Sequence, residues 1–299
     1  MTDVEDALPR GVALTWGVAE NPQRGPRREL SIERIVETAV EIADAEGLGA
    51  VSMSRVATAL GFTTMSLYRY VTSKDDLLVL MGDAASEVPI PPDTGGDDWR
   101  GGVSRWAVAA RAAYRAHPWM VDLPINGAPM TPNTLLMADW MLRELAPLPL
   151  DDDEKMATLL LLSSYVRATA AIERDISALI SAGTSADSRR QSEALATLVT
   201  PERFPSLSPL VAAGLYDRDD DNTFDDFAFG LGRILDGIDL HTRDVEKRPD
   251  APVEQYEIPR DKAVREAAKA RREAEGRVRE ALKREREAIK RARERAERG

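Results

Sequence analysis

The 299-residue chain has no cysteine, which excludes a disulfide framework, a thiol nucleophile and any thiolate-held zinc. Histidine is nearly as scarce. His117 and His241 stand far apart in the chain, so a histidine-rich metal centre is not expected, and neither is a bound cofactor. Long apolar runs are missing too. The longest, Met156 to Leu162, falls well short of the roughly 20 residues that span a bilayer. The first residues, Met1 to Asp6, are acidic rather than the basic start of a secretory signal. These absences read as a soluble, cytoplasmic protein with no membrane partner.

Charge is plentiful, at 30% of residues, with a net value of −11. Its distribution matters more than its sum. Residues 1–80 carry 8 Lys and Arg against 12 Asp and Glu, residues 81–259 carry 16 against 30, and residues 260–299 carry 16 against 9. The chain thus has a mildly acidic head, a strongly acidic body and a basic tail. Contact with a polyanion has to come from local patches rather than from the field of the whole molecule.

Residues 1–30 hold three prolines and three glycines with no sustained period, and read as a flexible arm ending in the basic knot Arg24, Arg27 and Arg28. Helical signals begin at Ser31, a suitable N-cap, and continue through Ile32, Ile35, Val36, Ala39, Ile42 and Ala43 at 3.6-residue spacing. A short helix opened by Ser52 stops at Gly61, a residue that tolerates the left-handed backbone of a tight turn. A second short helix is expected over Thr64 to Val71. Ser73 to Asp76 then reads as a capping box opening the next helix. Pro89, Pro91, Pro92, Gly95 and Gly96 place a boundary near residues 86–97. Beyond it, helices are expected at 98–116, 118–123, 131–145, 151–181, 186–199 and 223–246. No set of strand-like runs alternates with turns, so the fold class is all-α. The expected organisation is an arm (1–30), a helical head (31–86), a larger helical domain (98–246) and a charged helical tail (260–299). No internal repeat is apparent.

Two short helices around a glycine turn, followed by a capped third, form a helix-turn-helix, whose second helix enters the major groove. In the segment from Thr64 to Val71, Leu67 and Val71 face inward, leaving Thr64, Ser66, Tyr68, Arg69 and Tyr70 for DNA. Arg69 suits a guanine edge, and Thr64 or Met65 a thymine methyl. Ser66, Tyr68 and Tyr70 suit phosphate oxygens. Lys74, in the first turn of its helix, and Ser52, Ser54 and Arg55, at the start of theirs, are placed to hold phosphates. Arg27 and Arg28 extend this basic set. A helical corner of no special function has the same local pattern, and pattern alone leaves both readings open.

The stretch from Leu30 to Met81 carries "ADAEG", "SMSRVATALGF" and "MSLYRYVTSKDDLL" in order and spacing, and resembles the DNA-binding domain of TetR/AcrR-family transcriptional regulators. The resemblance implies a homodimeric, all-helical repressor. Its head would bind a near-palindromic operator, and its C-terminal domain a small-molecule effector. It assigns DNA contacts to Ser52, Ser54, Thr64, Ser66, Tyr68, Tyr70 and Lys74, and a base- or sugar-facing role to Arg69. Residues 98–246 resemble the regulatory domain of tetracycline-repressor type through "HPWM", "GAPMTPNTLLMADWMLREL" and "FDDFAFGLGRILDGI". No histidine stands where the drug-bound magnesium would need one, so the likeness does not extend to tetracycline as effector.

For the effector, the mixture of apolar and oriented polar groups typical of pockets is offered by Trp106, Tyr114, His117, Trp119, Met130, Trp140, Met141, Tyr165 and Arg167. Each aromatic fits a helical core equally well. Arg167, if buried, needs an anion, or a salt bridge to Glu173 or Asp139. Phe224, Phe227, Leu231, Ile234, Leu235 and Ile238 recur along one face with interspersed glycines and read as a dimer seam, joined by small residues of helix 151–181. The tail fits a solvated charged helix, a phosphate contact or a contact on the acidic body. Two further readings stand beside the regulator. One is a non-specific architectural DNA protein. The other is an enzyme using carboxylates such as Asp217 with Asp219 or the run Asp151 to Glu154, although no nucleophile–base spacing accompanies them.

Overall fold

The computed structural model describes residues 7–19, 30–93, 98–125, 127, 129–182, 185–214, 225–243 and 262–296. Arg24, Arg27, Arg28, Asp217, Asp219 and Phe224 lie outside them. The described residues are helical throughout their regular structure, with no strand. In chain order the helices are α1 (Arg10–Thr15), α2 (Ile32–Glu46), α3 (Met53–Leu60), α4 (Thr64–Tyr68), α5 (Lys74–Ala85), α6 (Trp99–Ala116), α7 (Pro132–Leu145), α8 (Asp152–Ala182), α9 (Ser185–Leu198), α10 (Ser208–Ala212), α11 (Asp226–Arg243) and α12 (Lys262–Ala296). Short 3-10 turns cover Leu48–Ala50 and Pro118–Asp122. Residues 1–246 form one compact unit, and α12 belongs to a second.

Within the first unit, apolar side chains gather into two cores. One closes the head, where Ile35, Ala39, Val51, Val56, Leu67, Val71, Leu77 and Met81 are fully buried. The other lies between α6, α7, α8 and α11, around Val103, Met141, Leu145, Leu162 and Val166. Trp119 and Met120, which follow α6 in the chain, join the head core instead, so the body plugs directly into the head. Tyr114 packs against both cores, and burial pushes its phenol pKa up.

The arm is not wholly irregular. Pro9 caps α1, and the buried Gly11, Val12, Ala13 and Leu14 pack it against α5. Gly11 suits that approach, since a Cβ there would stand a tight 3.1 Å from the Asp76 Cα and the Val79 Cβ. A six-residue helix is under two turns, too short for its period to be read from sequence.

Ion pairs tie α6 to α8. Glu173 accepts from both Arg111, at 3.1 Å, and Arg115. Burial alone would raise the Glu173 carboxyl, but the two guanidinium groups outweigh it and hold it below the ordinary range. A carboxylate with a lowered folded pKa contributes stability above its unfolded value and loses it as pH falls through the folded one. Glu173→Gln should therefore destabilise the protein near neutrality, and the gap to wild type should close as pH drops below the ordinary carboxylate range. Urea unfolding across that pH range reads it; a gap unchanged in acid would contradict the ion-pair account.

Candidate DNA-binding and regulatory sites

Three capped turns position the recognition segment. Ser31, Ser52 and Ser73 have extended backbones and accept from the N–H groups of Arg34, Arg55 and Asp76, which start α2, α3 and α5. Gly61 ends α3 at φ 78° and ψ 24°, the left-handed geometry expected of the helix-turn-helix corner. Thr63, which the sequence reading passed over, caps α4 by accepting from the Ser66 N–H at 3.2 Å. It was detectable as the first of two adjacent threonines after the glycine turn.

The recognition helix is shorter than expected, ending at Tyr68 rather than Val71, with Arg69 as its C-cap. The inward and outward faces fall as the sequence pattern demands. Leu67 and Val71 are completely buried, whereas Met65 is 74% and Tyr68 41% exposed. Arg69 and Lys74 are exposed and, among the described residues, have no carboxylate partner. Thr64, Ser66 and Tyr70 are only half-buried or half-exposed, and Tyr70 leans on the head core. The Ser66 and Thr63 hydroxyls are 2.9 Å apart. Ser52 and Ser54 are exposed at the start of α3. Arg55 departs from its expected role: it pairs with Glu46 of α2 at 2.5 Å, which partly neutralises it. In the next turn, Thr72 and Ser73 both donate to the Asp76 carboxylate, fixing the chain as it enters α5 beside Lys74.

The effector candidates do not form one cluster. Trp106, Trp140 and Met141 are buried in the body core, with Tyr165 packed against it. The polar tips find local partners. Trp106 donates to the Met137 carbonyl, Trp140 to Glu144, and Tyr165 to the Phe227 carbonyl. Gly230 lets α11 pass close to the Tyr165 ring, which a Cβ would strike. Arg167 takes neither Glu173 nor Asp139. It donates to the carbonyls of Val121 and Leu123, each at 2.7 Å, because the end of the 3-10 turn leaves those acceptors open. Met130 is exposed and apart, its carbonyl accepting from Trp16 Nε1.

His117 and Trp119, two of the pocket candidates, form a strut between head and body. Both ring nitrogens reach Asp44 of α2, His117 Nδ1 at 2.9 Å and Trp119 Nε1 at 2.6 Å. A second strut joins Asp83 of α5 to the first turn of α7, where the Asn133 N–H donates to its carboxylate and the Asn133 amide to its carbonyl. Burial pushes the Asp83 pKa up, partly offset by that N–H. Neither acid was singled out in the sequence, since a lone Asp on a helix carries no periodic signal.

The described residues of the expected dimer seam face the subunit's own core. Phe227, Leu231 and Leu235 are buried in the subunit's own core, and Ile234 and Ile238 pack against it. The open faces lie elsewhere. On α8 they include Met156, Leu160, Leu161, Ile172, Ile176 and Leu179, and on α11 Phe229 and Leu240, each more than half exposed. Ala157, Ser164 and Ala168 share the exposed side of α8.

The acidic run before α8 has a structural task. The Asp151 N–H donates to Glu154 and the Glu154 N–H to Asp151, a reciprocal cap, while Glu154 also meets His241 Nε2 at 3.0 Å. No helix among the described residues is long and apolar enough to cross a membrane.

Comparison with known proteins converges on this architecture. Residues 35–81 match the family described as bacterial regulatory proteins, tetR family, and residues 91–241 match the tetracyclin repressor-like C-terminal domain. The transcriptional repressor DrrR1 of Streptomyces coeruleorubidus is 35% identical over 245 residues, covering 78% of this chain and 86% of that protein. Two solved structures of ActR from Streptomyces coelicolor superpose along nearly their whole length. The apo form has TM-score 0.58 and 29% identity, over 70% of this chain and 97% of that one. The complex with actinorhodin has TM-score 0.59 and 28% identity, over 72% and 99%. The helix-turn-helix head, joined through Asp44 and Asp83 to an all-helical body, therefore belongs to a transcriptional regulator of the TetR family.

Proposed function

We propose that the protein is a homodimeric repressor that binds a near-palindromic operator and is released by a small-molecule effector held in its C-terminal domain. The observation that carries the DNA half is the recognition segment, where Met65, Tyr68 and Arg69 stand outward over the buried Leu67 and Val71. Two such heads, about 34 Å apart, would enter successive major grooves. Thr64, Met65 and Arg69 are assigned to bases, and Ser52, Ser54, Ser66, Tyr68, Tyr70 and Lys74 to phosphates. Arg55 has a lesser role, given its bond to Glu46.

The effector half is supported by ActR, whose structure has been solved with actinorhodin and with (S)-DNPA. The side chains best placed to meet a ligand are Trp106, Tyr114, Trp140, Met141, Tyr165 and Arg167, which border the body core. Ligand entering there would strain the struts at Asp44 and Asp83 and shift the heads. Because coupling is reciprocal, operator DNA would weaken effector binding by the same factor. Dimerisation would use the open apolar faces of α8 and α11, where eight large apolar side chains are more than half exposed. We assign the protein no catalytic activity: the acids Asp151 and Glu154 are spent on capping α8. It would act in the cytoplasm.

Selection of bound sequences from a random DNA library tests the reading. The expected product is one inverted repeat. Recovery of unrelated sequences would favour an architectural DNA protein and refute the operator assignment.

A further inference from the structure

The basic tail contains a seven-residue repeat. From Lys262 to Ala296 the sequence divides into five heptads, and each carries Arg-Glu at its fourth and fifth positions: Arg265, Arg272, Arg279, Arg286 and Arg293, each followed by Glu. The segment is one continuous helix, α12, and it lies beyond residue 241, where the match to the regulatory-domain family stops. Seven residues of α-helix turn through nearly two full revolutions and rise about 10.5 Å. The five arginine positions therefore fall on one slowly drifting strip about 42 Å long.

The acids of the repeat are drawn to other cations. Glu266 and Glu273 meet Lys262 and Lys269, Glu275 meets Arg271, Glu280 meets Arg284, and Glu287 meets Arg291, all four residues apart. Arg265 and Arg272 are exposed, and among the described residues they pair with no carboxylate. Beside the strip, Lys283 and Lys290 stand four positions after Arg279 and Arg286, and Leu282 and Ile289 stand three positions after them. Cation positions that recur at a constant rise along one strip of a helix suit a line of anions. The body it follows is strongly acidic, so the ladder is the chain's largest local excess of positive charge.

We infer that the arginine ladder of α12 is a second DNA-contacting surface, one that grips the phosphate backbone flanking the operator without reading sequence. Phosphate contact needs cations at regular rise but no base-edge geometry, which five arginines spaced seven residues apart on one helix supply. The contact adds affinity through counterion release and so steepens salt dependence.

The test replaces all five arginines with Gln in the full-length protein, a change that keeps helix propensity. A control replaces Lys262, Lys269, Arg271, Arg284 and Arg291, the ion-paired cations, with Gln. Each is titrated over a range of salt against a fragment holding only the selected inverted repeat and against one with long flanks. The ladder variant should bind the short fragment as wild type does, and should lose about tenfold or more on the long one, with a salt slope shallower by several units. Equal losses from both variants would overturn the proposal, as would an unchanged slope on the long fragment. So would loss of binding to phosphatidylserine vesicles with DNA binding intact, which would reassign the strip to a lipid surface. Failure of the short fragment to bind wild-type protein would instead refute the operator reading.

Discussion

Placing glutamate at both Leu160 and Ile172 should yield a folded monomer that no longer holds its operator. Both side chains are more than half exposed on α8, so the substitutions bury nothing in the isolated subunit and the helix should remain intact. In a dimer they would set four carboxylates within a dry apolar contact, at a cost far above what surface ion pairs recover. Loss of the second head matters more than loss of the contact itself. A dimer presents its second recognition segment at millimolar effective concentration, and removing that advantage lowers apparent affinity by about 10² to 10⁴. Light scattering and operator titration should therefore fall together, with the far-ultraviolet dichroism unchanged. Leu231→Glu gives the contrasting result. Leu231 is 6% exposed inside the body core, and a charge there should abolish cooperative unfolding rather than release monomers. A Leu160→Glu/Ile172→Glu protein that stays dimeric would remove α8 from the interface.

The difference between those two residues marks the limit of the sequence. Phe227, Leu231 and Leu235 recur every four residues, and that period announces an apolar face without saying what covers it. A helix buries its richest stripe first in its own subunit. The residues left for a partner on α11 are then the sparse Phe229 and Leu240, which no periodicity singles out. The long helices were legible because many turns contribute to each pattern: the expected spans 98–116 and 131–145 differ by one residue from α6 and α7. Capping chemistry was equally readable at Ser31, Ser52 and Ser73. Contacts between distant segments were not. Asp44 receiving His117 and Trp119 joins residues 73 and 75 positions apart, and nothing local to Asp44 distinguishes it from any surface acid. The tryptophan and tyrosine candidates divide between the two cores for the same reason, since composition places aromatics in a core without saying which core.

Within the head, Arg69→Ala and Lys74→Ala should weaken operator binding in different ways. Arg69 caps α4, exposed and without a carboxylate partner among the described residues, so its guanidinium is available for a bidentate bond to a base. Each such bond is worth about 1–3 kcal/mol of discrimination, and a dimer would make it twice. Arg69→Ala should cost about 2–6 kcal/mol on the best operator and much less on one altered at the contacted base pair. The selected motif should lose preference at one position in each half-site. Lys74 begins α5, where its ammonium and the free N–H groups of the first turn would share a phosphate. Removing it should weaken binding to every sequence alike and reduce the salt slope by about two per dimer, one for each neutralised phosphate. Titration of the two variants against the selected operator and its point mutants separates the outcomes. If Arg69→Ala leaves the motif unchanged while Lys74→Ala alters it, the roles are reversed, and the groove is entered at a different angle from the one that α4 and its cap at Thr63 imply.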